Sequence, residues 1–180
     1  MRHLADPPSV TVIIVNWNGL ACLPRCLEAL RSQTHGAFRV LVMDNGSTDG
    51  SAEMVERLGD ARFTMVPLGA NLGFARANNL AVAEATHAKW VALLNPDAFP
   101  EPDWLERLLA FAERHPMGAA FGSCLLMAQD PSVIDGSGDN YHVTGRAFSR
   151  DRGRSVRHLS RMSDRSEERR VGKECLRLCR

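Results

Sequence analysis

Two short apolar runs of this chain end abruptly in a carboxylate, and no other sequence feature constrains the fold as much. Residues 41–44 read Leu-Val-Met-Asp and residues 91–97 read Val-Ala-Leu-Leu-Asn-Pro-Asp, so that Asp44 and Asp97 terminate the two runs. Such runs predict buried strands of a parallel sheet. Because the carboxyl ends of these strands line the crevice where open α/β sheets bind ligands, the pair predicts a site for a nucleotide and a metal ion.

The first 126 residues alternate between strand-like and helix-like segments, which predicts an α/β fold with a doubly wound, mostly parallel sheet flanked by helices. The predicted strands are residues 10–15, 38–43, 63–67, 90–94 and 118–126. The predicted helices are residues 20–32, 73–86 and 102–115, together with one that Ser47 or Thr48 caps and that runs to Leu58. From about Asp130 onward the periodicity fades, and no element is predicted there.

The size of the chain fits one domain, and its charge is divided unevenly. A chain of 180 residues is long enough for one substantial core, and its net charge of +1 gives no support for a nucleic-acid partner. Residues 149–180 carry 11 Lys and Arg against 5 Asp and Glu, whereas residues 1–148 carry 11 against 16. We therefore predict a nucleotide-binding domain over residues 8–148 and a disordered basic tail over residues 149–180. Residues 165–180 resemble a vector- or adaptor-derived reading frame.

The cellular location of the protein and the role of its cysteines are both predicted from sequence patterns that this chain lacks. No apolar stretch is long enough to span a bilayer, and residues 1–9 lack the apolar core of a signal peptide. The sequence therefore predicts a cytoplasmic protein. The five cysteines do not show the paired spacing of zinc ligands, so we expect structural thiols.

The loop that follows the first carboxylate, residues 44–50, carries groups suited to a nucleoside. Its sequence Asp-Asn-Gly-Ser-Thr-Asp-Gly offers carboxylate, amide and hydroxyl groups that can accept the ring N–H of a pyrimidine and hydrogen-bond a ribose. Asp44 needs polar partners because it ends a buried strand. For residues 47–49, a helix cap with turn residues is an equally good interpretation.

The second loop, residues 95–97, suits a divalent cation. A nucleotide diphosphate needs such a cation to bridge its phosphates, and Mg²⁺ or Mn²⁺ takes oxygen ligands that include only one or two protein carboxylates. Asp97 is the candidate metal ligand, and Asn95 can orient its carboxylate or a metal-bound water. An ordinary Asn-Pro-Asp turn is the alternative interpretation.

Two further residues are candidates for nucleotide contact. Trp17 follows the first predicted strand and can stack on a base, unless it is a core aromatic residue. Arg76 lies near a predicted helix start and suits a base or a phosphate, unless it belongs to an exposed helix face. The sequence contains neither a P-loop lysine motif nor Gly-x-Gly-x-x-Gly, so nucleotide hydrolysis and dinucleotide binding lack their usual support.

Taken in order, five motifs resemble the family 2 glycosyltransferases, which have the GT-A fold. They comprise residues 10–18, 26–34, 42–50, 71–79 and 93–98. The variants Asn-Trp-Asn and Asn-Pro-Asp are most similar to the rhamnosyltransferase-like branch. The resemblance implies that Trp17, Asp44 and Asn45 hold the nucleobase and ribose, and that Asp97 holds the metal. The family motif at residues 95–97 is Asp-x-Asp, whereas this chain has Asn95, so one charged ligand is missing.

The reaction that the resemblance implies is metal-assisted transfer of a sugar from a nucleotide-diphosphate sugar to an acceptor hydroxyl, with inversion. The implied acceptor is a saccharide or a lipid-linked molecule of cell-wall or polysaccharide biosynthesis, and peripheral contact with the inner face of the membrane is expected with it. The family's acidic general base has no match here, and no motif supports Asp135 or Asp139 in that role. We therefore expect a truncated enzyme with a donor-binding half and an incomplete acceptor half.

Two other functions remain open. A non-catalytic nucleotide-binding module would bind the same donor without turnover. A sugar nucleotidyltransferase would resemble Gly-x-Gly-x-Arg after its first strand, whereas residues 16–19 read Asn-Trp-Asn-Gly.

Overall fold

Among the residues that the structure describes, the first of two units contains a sheet of four parallel strands. The structure, a computed structural model, describes residues 9–158 and 177–179. The strands are β1 (Val10–Asn16), β2 (Phe38–Asp44), β3 (Phe63–Pro67) and β4 (Trp90–Leu94), and they lie in the order β3-β2-β1-β4. The helices are α1 (Leu23–Arg31), α2 (Ser51–Glu56), α3 (Phe74–Glu84) and α4 (Trp104–Arg114). The predicted α/β fold with a parallel sheet and flanking helices is confirmed.

Strand β1 lies between β2 and β4 and is the centre of the sheet. All seven of its residues are buried, which its β-branched composition favours. It pairs in parallel with β2 from Val10↔Phe38 to Asn16↔Asp44. It also pairs in parallel with β4 from Val10↔Trp90 to Ile14↔Leu94. The carboxyl ends of these three strands therefore meet at one edge of the sheet.

The two faces of this sheet are covered by different helices. Alternate side chains of the strands pack with alanines of α3 in one cluster, which contains Ile13, Val15, Leu41, Met43, Ala77, Ala81, Ala85 and Val91. Because side chains alternate along a strand, the remaining buried residues of β1 and β2 point to the opposite face. Helices α1 and α4 carry further buried apolar side chains, namely Leu23, Leu27, Leu30, Leu105 and Leu108, which is the composition expected of helices that cover this second face.

The predicted cap of the second helix was wrong. Helix α2 begins at Ser51 after Gly50, which has a positive φ of 86° and no side chain, and the N–H of Ser51 donates to Asp49 Oδ1 at 3.0 Å. The two predicted capping residues are hydrogen-bonded to the loop after β1 instead. The Oγ atom of Ser47 accepts the N–H of Asn18 at 2.9 Å, and the N–H of Thr48 donates to Asn18 Oδ1 at 2.8 Å.

The second unit covers residues 111–179 and contains short antiparallel strand pairs. Its strands are β5 (Ala120–Phe121), β6 (Leu125–Met127), β7 (Asp130–Gly136), β8 (Asp139–Tyr141), β9 (Ala147–Ser149) and β10 (Arg177–Cys179). Strand β6 pairs with β7, β8 with β9, and β5 with β10. The prediction of one strand over residues 118–126 and of no element beyond Asp130 was therefore wrong. Register shifts between β6 and β7 break the alternation that would have signalled these strands.

The domain boundary predicted at residue 148 falls inside β9, and the segment after it is hydrogen-bonded to the rest of this unit. The N–H of Ser137 donates to the carbonyl of Arg150 at 3.0 Å, and the N–H of Ile134 donates to the carbonyl of Arg154 at 2.8 Å. The Asp151 carboxylate accepts the hydroxyl of Ser137 at 2.6 Å. Residues 149–158 thus have defined structure, in contrast to the predicted disorder. The rest of the predicted tail, residues 159–176 and 180, lies outside the described residues.

Helices of the described ranges are all too short or too polar to cross a bilayer.

Candidate functional site

The candidate site lies at the edge of the first unit's sheet where β1, β2 and β4 end. Asn16 and Asp44 are paired in the ladder as the last residues of their strands, and β4 ends at Leu94 on the other side of β1. The loop after β1 therefore leaves the sheet between the two loops that carry the predicted carboxylates. Two grooves elsewhere on the described residues are lined by residues 55–65 and by residues 114–121, and neither contains these side chains.

Asp44 is a nearly buried carboxylate with hydrogen-bond partners. Its exposed fraction is 6%. Its Oδ1 atom accepts the Nδ2 amide of Asn16 at 3.3 Å, and its two oxygens lie 3.3 and 3.2 Å from the N–H of Ser47. These donors compensate the charge at the strand end. The orientation of the carboxylate is therefore set before any ligand binds.

Asn45 is buried and uses both ends of its carboxamide within the protein. Its Nδ2 atom donates to Asn71 Oδ1 at 3.0 Å, and its Oδ1 atom accepts the N–H of Leu72 at 2.7 Å. The neighbouring Gly46 has a φ of +81°, and a Cβ there would lie 3.1 Å from the backbone of Ala70. Asn45 thus fastens the segment before α3 to the loop after β2, and its predicted contact with a ribose stays a prediction.

Trp17 is exposed at the surface, and the residues on either side of it are held in place by burial or by hydrogen bonds. Its exposed fraction is 60%. Asn16, before it, is buried, and Asn18, after it, has a φ of 51° and accepts the N–H of Thr48. The structure therefore excludes the alternative that Trp17 is a core aromatic residue, and its indole is free to stack on a flat ligand.

Asn95 and Asp97 are both exposed in the loop that follows β4. The Cys26 thiol of α1 donates to the Asn95 carbonyl at 3.7 Å. Burial, followed by smaller contributions from the negative charge of Asp97 and from the nearby Cys22, raises the pKa of the Cys26 thiol to about 12. The thiol is therefore protonated at neutral pH and can act as the donor that holds this loop.

The described donor set fits a cation that arrives with a diphosphate. Within the described residues, no group of three or more His, Cys, Asp or Glu could hold a metal ion by itself. Asp97 offers one exposed carboxylate. Because Mg²⁺ and Mn²⁺ are often bound by one or two carboxylates plus phosphate oxygens and water, this donor set matches that mode.

Arg76 is exposed in the first turn of α3. The helix starts immediately after the segment that Asn45 holds, since Gly73 is the residue before Phe74 and its N–H donates to Asn71 Oδ1 at 3.0 Å. The start of α3 is thus tied to the loop after β2. Arg76 therefore belongs to the same side of the sheet as Asp44.

The sequence interpretation did not predict the role of four residues that link the loops after β1 and β2, namely Asn16, Asn18, Asp49 and Ser51. Asp49 accepts the N–H of Leu20 at 2.8 Å and the hydroxyl of Ser51 at 2.5 Å. The hydrogen bond from Ser51 and that from Leu20 hold the pKa of Asp49 below its ordinary value of 3.8. The available signal was a polar Asn16 at the end of an otherwise apolar strand.

Comparison with known proteins gives one family and several relatives. The family model described as Glycosyl transferase family 2 matches residues 11–162. The N-acetylglucosaminyl-diphospho-decaprenol L-rhamnosyltransferase of Mycobacterium tuberculosis is 34% identical over 133 residues. That alignment covers 68% of this chain and 42% of the relative.

Two solved structures share the fold. The mannosyltransferase PcManGT from Pyrobaculum calidifontis, in complex with GDP-Man and Mn²⁺, has a TM-score of 0.58 and 28% identity, covering 68% of this chain and 37% of that one. S. aureus TarS in complex with UDP has a TM-score of 0.62 and 19% identity, covering 76% of this chain and 43% of that one. The chain thus spans less than half the length of each of these three proteins.

Proposed function

This chain belongs to glycosyl transferase family 2, and we propose that it binds a nucleotide-diphosphate sugar at the carboxyl edge of its parallel sheet and transfers the sugar to an acceptor hydroxyl. The observation that carries the proposal is the position of Asp44 and of the Asp97 loop on either side of β1. Solved neighbours in complex with UDP and with GDP-Man and Mn²⁺ add support.

The nucleoside would bind on the β1 and β2 side of the edge. Trp17 stacks on the base, and the Asp44 carboxylate accepts the ring N–H of a pyrimidine. Asn45 holds the segment before α3 and contributes to the ribose contact. Arg76, on the first turn of that helix, supplies a positive charge for the phosphates.

The diphosphate would bind on the β4 side. Asp97 would hold a Mg²⁺ or Mn²⁺ ion, with Asn95 orienting the carboxylate or a bound water. When bound, the cation stabilises the negative charge that develops on the departing diphosphate. The transfer is proposed to invert the anomeric carbon: the acceptor oxygen forms the new C–O bond opposite the departing nucleoside diphosphate, and the proton of the acceptor hydroxyl passes to a general base outside the residues assigned here. The name of the mycobacterial relative supports a lipid-linked saccharide as the acceptor.

Calorimetric titration of the chain with UDP and dTDP, in Mn²⁺ and in chelator, tests the donor site. We expect binding that depends on the metal and that Asp97→Ala abolishes, because Asp97 is the exposed carboxylate of the β4 loop. Asp103→Ala is the matched control, since Asp103 makes an exposed ion pair with Arg107 and should leave binding unchanged. Equal binding by Asp97→Ala and the wild type, or no nucleotide binding by the folded wild type, would contradict the proposal.

Product analysis separates the proposed transferase from the other functions. With a nucleotide sugar and a saccharide acceptor, transfer releases a nucleoside diphosphate and a glycosylated product. A binding module would bind the donor and release neither. Release of pyrophosphate from a nucleoside triphosphate and a sugar phosphate would identify a nucleotidyltransferase instead.

A further inference from the structure

The Asn16 side chain is fully buried at the end of the central strand and connects it to the loop after β2. Its Nδ2 amide lies 2.8 Å from Ser51 Oγ, 3.0 Å from Ser47 Oγ and 3.3 Å from Asp44 Oδ1. The Ser51 hydroxyl already donates to Asp49, and the Asp44 carboxylate only accepts. An amide donor, not a carbonyl, is therefore the group that these acceptors require.

The other end of this carboxamide faces Gly19. Asn16 Oδ1 is buried and has no hydrogen-bond partner among the described residues. A Cβ added at Gly19 would lie 2.2 Å from that oxygen and 3.4 Å from Asn16 Cγ. Gly19 has only a hydrogen atom on Cα where another residue would have its Cβ. A weak C–H···O contact with Asn16 Oδ1 therefore replaces a clash. The φ of Gly19 is not among the positive values, so the requirement at this position is space and not backbone conformation.

Gly19 also lies against the loop that carries Asp97. The same added Cβ would be 3.7 Å from Pro96 Cβ, which is an ordinary van der Waals contact. The loop after β1 therefore lies between the two parts of the candidate site, with the Asp44 carboxylate on one side and the Asn95–Asp97 turn on the other. Asn16 is hydrogen-bonded to Asp44 and its loop, whereas the contact of Gly19 with Pro96 is an ordinary one, so a displacement of the pair acts first on the Asp44 side.

We propose that Asn16 and Gly19 form a positioning pair for the donor site: the Asn16 amide orients the Asp44 carboxylate towards the base, and the missing side chain of Gly19 lets Asn16 occupy that position. The pair does not touch the ligand itself. This inference rests on the proposed function, because it assigns the pair to the recognition of a pyrimidine nucleotide.

A cycle of variants tests the contact within the pair. Thermal unfolding is compared for Gly19→Ala, Asn16→Ala and the double variant, with Gly36→Ala as the matched control, because an added Cβ at Gly36 meets nothing within 4 Å. We expect Gly19→Ala to lower the midpoint by about 4 °C or more and Gly36→Ala to leave it unchanged. In the Asn16→Ala background, Gly19→Ala should have no further effect, since the clashing atoms are gone. A Gly19→Ala variant as stable as Gly36→Ala would overturn the proposal, and so would additive effects in the double variant.

Nucleotide discrimination tests the assignment to the base. Affinities for UDP and ADP are measured in Mn²⁺ for the wild type, Asn16→Ala and Gly19→Ala. We expect both variants to lose affinity for UDP by about tenfold, the size of one lost hydrogen bond to a charged group, and to retain their affinity for ADP. A purely structural role would weaken both nucleotides by the same factor, which would overturn the proposal. A folded wild type that binds neither nucleotide would contradict the proposed function itself, whereas UDP preference that survives in both variants would contradict only this inference.

Discussion

At the scale of single residues, the candidate site separates side chains that can reach a ligand from side chains that hold the loops. Trp17 and Asp97 are exposed, whereas Asn16 and Asn45 are buried and bonded within the protein. Substitution of the exposed residues should change binding with little effect on folding. Substitution of the buried ones should change both.

Replacing Trp17 by alanine should weaken the binding of UDP by about tenfold or more, because stacking of a base on an aromatic ring is worth about 1–3 kcal/mol. The thermal midpoint should be unchanged, because the side chain is 60% exposed. Phe148→Ala is the control, since Phe148 is 55% exposed and lies in the other unit. Calorimetric titration and quenching of indole fluorescence provide the measurement. A Trp17→Ala variant that binds UDP as tightly as the wild type would rule out stacking.

Asp49 should make the free energy of unfolding of the first unit depend on pH in the acidic range. Its pKa in the folded state is below 3.8, so its hydrogen bonds with Ser51 and Leu20 stabilise the folded state at pH values above 3.8. This stabilisation is lost as the pH falls through the folded-state pKa. We expect urea unfolding to show a difference between the wild type and Asp49→Asn at about pH 5 that shrinks towards pH 3. A difference that does not vary with pH would show that ionisation of Asp49 does not contribute.

At the scale of elements, the regular part of the sheet is predictable from sequence and its loops are not. The apolar runs of β1, β2 and β4 identify buried strands, and Asp44 and Asp97 follow from the ends of those runs. The hydrogen bond between the Asn45 carboxamide and the N–H of Leu72 joins residues 27 positions apart in sequence, so no local sequence pattern predicts it. Strands β6 and β7 were missed because their register shifts remove the period of two.

Gln33 shows how a buried amide joins two helices. Its Nε2 atom donates to the carbonyls of Ala29 and Glu101 at 3.1 and 2.7 Å, and its Oε1 atom accepts the N–H of Leu105, in the first turn of α4, at 3.0 Å. Gln33→Ala should lower the free energy of unfolding by about 1–3 kcal/mol, because it leaves buried backbone groups unpaired. The exposed Gln129→Ala is the control and should have almost no effect. The free energy of unfolding of both variants is measured by urea denaturation, and equal values would show that Gln33 is dispensable for stability.

At the scale of the whole molecule, the chain divides into a unit with the parallel sheet and a unit with antiparallel hairpins. In the second unit, the side chain of Asp151 is 6% exposed and lies within 4 Å of the guanidinium groups of Arg150 and Arg154 and of the imidazole of His158. Its hydroxyl partner Ser137 is fully buried. A change at this carboxylate should therefore affect one unit and spare the other.

Asp151→Asn should speed amide exchange in residues 132–158 by about tenfold or more, because it removes the charge that pairs with the surrounding cations. The backbone should tolerate the change, since Asp151 has a φ of 58° and asparagine adopts this conformation readily. Asp135→Asn is the control, because the ion pair between Asp135 and Arg152 is more exposed. Hydrogen exchange read by mass spectrometry should show unchanged protection in β1 to β4. Faster exchange throughout both units would show that they unfold together.

The central position of β1 has a consequence for how the chain is made. Of the four parallel strands, β1 is synthesised first, yet its two neighbours are residues 38–44 and residues 90–94. During translation, one edge of this entirely buried strand therefore stays unpaired until β4 has left the ribosome. For that interval the nascent chain exposes a row of unpaired backbone N–H and C=O groups, the kind of edge at which other chains can pair and aggregate.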